Sequence, residues 1–211
     1  DAAMTGTARE RRLIDRIVGV SISDCEDLGR LGLQPRDLDR ALDAIATQLV
    51  FHGARVGYGG GGPRDGTFTH RLFQRIAEAY SSGGSGEGLP QRPFIHYLPF
   101  PIWRTWSAEE LFQHVRTNDM VGEIRLFLPD GRYRVLSVAD AGLEFEAGPE
   151  GPGRTFKDAD ALEALWEGAT SPPISDPDAY SAMRQTMAVE CDARLALGGR
   201  VKGYRGHGPG I

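Results

Sequence analysis

The stretch PRDLDRALDAIATQLVFHGARVGYGG, residues 35–60, decides the fold, because a helical pattern passes within it directly into a short strand. Leu38, Leu42 and Leu49 recur at the spacing of one helix face, and Gly53 stands where a helix C-cap is expected. The following run, ARVGYGG, is short, contains apolar residues and ends in glycines, as buried strands often do. The stretch therefore predicts an α-helix followed by a β-strand.

Further strands and a helix extend this pattern on either side. RIVGVSIS, residues 16–23, is a β-branched run before the helix, and Thr67 follows the second strand at the position of a helix cap. PFIHYLPFP (93–101) and ARLALGG (193–199) are two more strand-like runs. Because strands alternate with helices, the sequence predicts an α/β protein with a parallel sheet and helices packed on it.

The middle of the chain carries the signals of shorter elements. WSAEEL contains a capping box, with Ser107 at the cap and Glu110 three residues later. EIRLFLPDGRYRVLSV, residues 123–138, gives two strand-like runs around a Pro-Asp-Gly turn. We therefore expect a small β-rich insertion around residues 119–157. Two helices are expected beyond it, one around Leu162–Trp166 and one that begins at Asp176 and turns Tyr180, Met183 and Met187 inward.

Length and composition favour one domain. We expect residues 1–15 to form a polar leader and residues 16–211 to form a single domain. The net charge of −5 argues against general nucleic-acid binding, and the absence of an apolar run of eighteen residues argues against a membrane span. Two cysteines, Cys25 and Cys191, fit a reduced cytoplasmic protein better than a disulfide framework.

Serines and glycines follow three of the predicted strands, at the ends where ligands bind in open α/β sheets. Ser21 and Ser23 end the first strand, Gly59–Gly62 follow the second, and Gly198 and Gly199 follow the last. Glycines leave backbone N–H groups accessible, and a helix N-terminus adds about half a positive charge. The pattern predicts a phosphate cradle, although glycine-rich turns also serve simply as connections.

Basic and aromatic residues lie in the same glycine-rich loops. Arg64 is in the loop after the second strand, and Arg200, Lys202 and Tyr204 are in the loop after the last one. Guanidinium and ammonium groups bind phosphate oxygens, and a tyrosine ring stacks on a base or ribose. The alternatives are solvated loop charges and a ring that packs the loop down. His96, near the end of the third strand, is the histidine best placed to contact a base or ribose.

The chain lacks the motifs of several enzyme classes. A G-x-G-x-x-G match begins inside the second strand, and the P-loop-like run Gly61–Thr67 lacks its lysine, which argues against ATP hydrolysis. HExxH, paired-cysteine and G-x-S-x-G motifs are missing, so neither zinc nor serine-hydrolase chemistry is expected. His70 and His114 lie on predicted helices, where a solvated role is the commoner one. Cys191 is in phase with the inward methionines, which favours core packing.

Four motifs together resemble prokaryotic members of the SLOG superfamily: GRLGL before a helix, GYGG with a later GTFT, IHYLPFPI, and ARLALGGRVKGYRGHGPGI at residues 193–211. This superfamily groups Rossmann-like domains related to the lonely-guy phosphoribohydrolases, the DNA-processing protein Smf and the sensor region of melastatin-type TRP channels. The resemblance covers most of residues 16–211 and implies a Rossmann-like parallel sheet with helices on both faces. It implies binding of nucleotides or nucleotide-derived ligands such as ADP-ribose, with no separate cofactor, and a final helix after Ile211.

The resemblance places the ligand at the serines and glycines after the first, second and last strands. Two departures from the family pattern stand out. The loop GGGGPRDGTFT has no aspartate after its first two glycines, and the chain lacks the glutamate that the hydrolase branch places after its final glycine motif. Together with the basic and aromatic loop residues, the predicted ligand-binding residues are Ser21, Ser23, Gly59, Gly60, Gly61, Arg64, Gly198, Gly199, Arg200, Lys202, Tyr204, Gly208 and Gly210.

Three interpretations stay open. The preferred one is a binding or sensing module for a nucleotide-derived ligand: ADP-ribose, an NAD-related compound or a nucleotide. The second is a nucleotide N-glycosidase, for which Asp24, Glu26 and Asp65 are the nearest carboxylate candidates, each more simply a turn or cap residue. The third is an oligomeric scaffold, for instance a homodimer, built on apolar segments such as FPIWRTW (100–106), whose tryptophans would otherwise pack in the core.

Overall fold

A computed structural model describes residues 13–23, 28–61, 67–82, 90–140, 142–148, 151–156 and 174–198. The strands in this part of the chain are β1 (Ile17–Ser23), β2 (Arg55–Gly59), β3 (Phe94–Leu98), β4 (Gly122–Phe127), β5 (Tyr133–Ala139), β6 (Gly142–Phe145), β7 (Arg154–Phe156) and β8 (Ala193–Gly198). The helices are α1 (Pro35–Phe51), α2 (Phe68–Ser82), α3 (Phe100–Trp103), α4 (Ala108–Asn118) and α5 (Asp176–Glu190), with a 3-10 helix at Leu28–Leu31.

The strands form one mixed sheet in the order β7-β6-β5-β4-β3-β2-β1-β8. The five strands from β4 to β8 in this order run parallel, whereas β5, β6 and β7 pair antiparallel. The predicted α/β Rossmann-like architecture is therefore confirmed. The β-rich region expected around residues 119–157 is continuous with this sheet: β4 is one of its parallel strands, and the strands after it extend the same edge.

Helix α1 forms because its apolar residues share one face and both of its ends are satisfied. Leu38 and Leu42 are buried on that face, and Gln34 and Asp37 make a capping box at its start. At its end, Gly53 has a φ of +88°, a conformation that L-residues with a side chain rarely adopt. The chain can therefore reverse at once into β2, as the sequence predicts.

The main core lies on the face of the sheet covered by α1, α2 and α4. Val20, Val56 and Leu72 are buried there together with Trp103. Trp103 is 1% exposed, and its Nε1–H donates to the Phe127 carbonyl oxygen at 2.7 Å. The segment FPIWRTW is thus anchored in the core by Trp103, as the alternative of core packing expects for this ring, and a homodimer stays a prediction.

Helix α5 covers the opposite face of the sheet. Met183 and Met187 are buried against Ile95 and Tyr97 of β3, and Cys191 packs on the same cluster. The inward direction predicted for the two methionines is confirmed. Helices therefore occupy both faces of the parallel part of the sheet.

A cluster of charged and phenolic groups fixes the end of α5 on the sheet. The Glu190 carboxylate accepts from the Tyr97 hydroxyl at 2.9 Å and from the Tyr133 hydroxyl at 2.7 Å, and it forms an ion pair with Arg125. Arg125 also donates from Nε to Glu123 at 2.6 Å. Because β8 begins three residues after Glu190, these bonds also set the position of the last strand.

None of the helices in the described ranges combines the length and the apolar character that crossing a membrane requires.

Candidate ligand-binding site

The carboxyl ends of β1 and β8 lie side by side. Ser23 of β1 is the register partner of Gly198 of β8, and Ser21 is the partner of Ala196. From β1 the chain moves through α1 to β2, and it returns only at the end to place β8 on the other side of β1. This reversal of strand order makes the β1–β8 edge a topological switch point, where open α/β sheets bind their ligands.

Strand β2 brings its glycines to the same edge. Val20 of β1 is paired with Tyr58 of β2, and one further step in this parallel register sets Ser21 beside Gly59. The structure therefore brings together the described members of the predicted site: Ser21, Ser23, Gly59, Gly60, Gly61 and Gly198. Their roles in holding a ligand stay predictions.

Gly59, the last residue of β2, and the next two glycines are in different surroundings. A Cβ atom on Gly59 would lie 2.8 Å from the Sδ atom of Met187, and one on Gly60 would lie 2.6 Å from the ring of Tyr58. A Cβ atom on Gly61 would meet no atom within 4 Å. Packing explains the first two glycines, so among the three described glycines of this run only Gly61 borders open space.

Two buried side chains hold the carbonyl groups of this turn. The Nε2 atom of His96 is 3.4 Å from the Gly60 oxygen, and the Thr69 hydroxyl donates to the Gly61 oxygen at 2.7 Å. His96 is 0% exposed and Thr69 is 1% exposed, so both carbonyls point into the protein. In a trans peptide the following N–H points opposite to the carbonyl, which turns the Gly61 N–H away from the interior. Outward amides of this kind suit an anion.

The N-terminus of α2 faces the same turn. It differs from the N-termini of the other long helices because its first turn contains no acidic residue. Among the described helices of eleven or more residues, α1, α4 and α5 carry acidic residues in the first turn, whereas α2 has none. Thr67 caps α2, because the His70 N–H donates to its hydroxyl at 3.3 Å. The partial positive charge at this helix end is therefore not offset by a carboxylate within the helix's first turn.

Two histidines form a buried relay behind the turn. The Nδ1 atom of His96 is 3.1 Å from Nε2 of His114, and Nδ2 of Asn118 is 3.3 Å from Nδ1 of His114. If His96 donates from Nε2 to the Gly60 oxygen, its Nδ1 accepts from His114, whose Nδ1 in turn accepts from Asn118. The Asn118 amide, the two histidine rings and the Gly60 carbonyl then all have hydrogen-bond partners, and both rings are neutral. Burial lowers the pKa of His96 to about 4 and the pKa of His114 well below its ordinary value.

These positions correct two predictions. His114 is 4% exposed, so the solvated role expected for it is wrong. His96 is fully buried, so it cannot contact a base or ribose directly and instead supports the Gly60 carbonyl. The sequence held a signal for His114, which lies three residues after the buried Leu111 on the apolar face of α4. The sequence contained no signal that the ring of His96 in β3 would pair with the ring of His114 in α4.

Several predicted residues lie outside the described ranges. This group contains the basic and aromatic loop residues, part of the glycines, the three carboxylates of the glycosidase interpretation, Cys25 and the helix expected around Leu162–Trp166. The predicted ligand-binding residues among them are Arg64, Gly199, Arg200, Lys202, Tyr204, Gly208 and Gly210, and the carboxylates are Asp24, Glu26 and Asp65.

Comparison with known proteins identifies the family. The family model described as SLOG cluster2 matches residues 12–137 and 157–211, and the chain therefore belongs to this family. No curated protein and no solved structure gives a match. The unmatched residues 138–156 contain β6 and β7, so the outer two strands of the sheet lie outside the pattern shared with the family.

Proposed function

We propose that this SLOG cluster2 protein binds a nucleotide-derived ligand of the class of ADP-ribose, NAD-related compounds or nucleotides, and that it acts as a binding or sensing module. Membership of the family indicates a nucleotide-related function in general. The observation that carries the finer proposal is the convergence of the ends of β8, β1 and β2 at a topological switch point, beside an α2 N-terminus without first-turn acids.

In the proposed complex, a phosphate group lies at the turn after β2. The outward N–H of Gly61 and the start of α2 contact it from one side, and Ser21 and Ser23 flank it from β1. Arg64, Arg200 and Lys202 supply positive charge, and Tyr204 stacks on the base or ribose, as the sequence predicts for these loops. Family resemblance and residue chemistry support these last assignments.

Thr69 offers a structure-based test that leaves the ligand surface itself untouched. Thr69→Val removes the hydroxyl that holds the Gly61 carbonyl while keeping the side-chain volume, so the turn loses its fixed orientation. Thr105→Val is the matched control, because the Thr105 hydroxyl also donates to a backbone carbonyl, that of Ile102, at 2.7 Å. We expect Thr69→Val to weaken binding about three- to tenfold, the value of one hydrogen bond, and Thr105→Val to leave it unchanged.

The measurement is isothermal titration of the full chain with ADP-ribose, NAD and AMP, accompanied by chromatography of the same mixtures. Arg200→Ala should weaken binding of the ligand that gives heat. Failure of all three compounds to bind the wild-type protein would contradict the proposal, as would equal affinities of the two threonine variants. Release of free base during the titration would favour the glycosidase interpretation instead.

A further inference from the structure

A cavity lies between α2 and α4, on the face of the sheet opposite α5. Its volume is about 640 Å³, within the range of pockets that hold small organic molecules. Phe73 and Ala77 of α2 line one wall, and His114 of α4 lines the other together with Trp106, which precedes that helix. None of the described residues of the predicted phosphate site belongs to its lining.

Aromatic rings form the floor of this cavity. His114 is held edge to face by Phe73 and by Trp106, with centroid distances of 5.4 Å to each. Phe73 is buried and Trp106 is partly buried, so the rings are fixed by the core while part of the indole still borders the cavity. A preformed aromatic surface of this kind favours a flat ring, which stacks or packs edge to face on it with little loss of side-chain freedom.

The acidic side chains at the cavity disfavour the anionic ligand that is proposed for the glycine turn. Glu109 and Glu110 line its rim, and the described lining contains neither lysine nor arginine. A phosphate or carboxylate would be repelled here, whereas a cation or a group with several N–H donors would find acceptors. Aromatic faces beside carboxylates also favour a cationic ring through cation–π attraction.

We propose that the cavity between α2 and α4 is a second binding site, which takes a flat aromatic group carrying a positive charge or several N–H donors. The ring lies on Trp106 and Phe73, and its donors face Glu109. This site is chemically separate from the proposed anion site, and its occupation does not depend on that site being functional.

Benzamidine and benzoate test the proposal as a pair, because they share the ring and differ in charge. Titration of the full chain is followed by nitrogen–proton NMR spectra, with the Trp106 indole and the Phe73 amide as reporters. We expect benzamidine to bind with a Kd on the order of 1 mM, about tenfold or more tighter than benzoate. Equal binding of the two compounds, or shifts confined to other surfaces, would overturn the proposal.

Two variants localise the effect. Glu109→Gln removes one rim charge and should weaken benzamidine about threefold; Glu110 is unsuitable because its carboxylate belongs to the α4 capping box. Ala77→Phe fills the cavity and should abolish benzamidine binding, whereas Ala188→Phe adds the same ring to an exposed position of α5 and should not. If Ala77→Phe fails to fold, the Glu109 variant still decides: unchanged benzamidine affinity in it would contradict the site.

Discussion

His96 and His114 are bonded ring to ring inside the protein, with Nδ1 of His96 3.1 Å from Nε2 of His114. One pattern of donors satisfies the chain of bonds from Asn118 through both rings to the Gly60 carbonyl, and both rings are neutral in it. An extra proton on either ring places two donors face to face. The pair therefore links the orientation of the glycine turn to the protonation state of the core.

This pair predicts a loss of stability in mild acid. The pKa of His96 falls from about 6.5 in the unfolded chain to about 4 in the folded protein, so the unfolded state takes up the proton first. The contribution of neutral, buried His96 to the free energy of unfolding is fully present above pH 6.5, and it declines as the pH falls toward 4. From pH 7 to pH 5 the expected loss from His96 alone is about 2 kcal/mol.

Urea unfolding at pH 5, 6 and 7 measures this dependence. His96→Phe places a ring of similar shape among the aromatic neighbours Phe73 and Phe94 and should reduce the pH dependence by about 2 kcal/mol. Thr105→Val, which removes a hydroxyl that donates to the Ile102 carbonyl, is the control and should keep the wild-type slope. An unchanged slope in His96→Phe would show that the ring does not titrate as the burial implies.

A double-mutant cycle tests the contact itself. Each single variant, His96→Phe or His114→Phe, leaves one buried ring nitrogen without its partner and should cost about 1–3 kcal/mol. The double variant should cost less than the sum of the two by about 1 kcal/mol or more, because it removes both polar partners. Strict additivity of the unfolding free energies would mean that the two rings do not interact.

Substitution by alanine is expected to affect stability at Gly59 and ligand binding at Gly61, because the two glycines have different surroundings. Gly59→Ala forces a methyl group against Met183 and Met187 and should destabilise the fold by about 1–3 kcal/mol. Gly61→Ala meets open space and should change stability by less than about 0.5 kcal/mol, while its methyl group crowds the proposed phosphate. Thermal unfolding measures the first effect and nucleotide titration the second. Equal destabilisation by the two variants would contradict the packing explanation.

The contacts of Glu190 are expected to contribute measurably to the attachment of α5 to the sheet. Burial raises the pKa of Tyr97, and it raises the pKa of Tyr133 to about 12, so both phenols stay protonated and donate to this carboxylate. Glu190→Gln removes the charge that balances Arg125 in a half-buried cluster and should cost about 2 kcal/mol. Asp130→Asn breaks an exposed pair with Arg132 and should cost less than about 0.5 kcal/mol. Comparable losses in a urea titration would show that the cluster contributes no more than a surface pair.

Local signals of the sequence predicted most of the elements correctly. The capping box of Ser107 and Glu110 forms with bonds of 2.7 and 3.1 Å, and Ser175 caps α5 at its predicted start. Such features depend on residues three or four positions apart, which the sequence places in contact as soon as a helix forms. The succession of strands and helices likewise fixed the expectation of an α/β fold, because a parallel sheet requires crossover helices.

The candidate site was predictable only in part. Ser21, Gly59 and Gly198 meet at one edge because parallel strands share a carboxyl end, which follows from the element order. The distinction between Gly59, which makes room for Met187, and Gly61, which borders open space, does not follow from it. Both positions are glycine in the sequence, and only the packing of α5 against β2 shows that the two glycines have different roles.

By itself, the sequence determined most of the elements, the helix caps at Thr67 and Ser107, the reversal at Gly53 and the family. The tertiary structure alone decided that His96 lies on His114, that Glu190 accepts from Tyr97, and that β8 returns beside β1. The first pair is 18 residues apart and the second 93. Contacts over such separations arise from the packing of whole elements around a common core, where burial rather than local pattern selects the partners of each polar group.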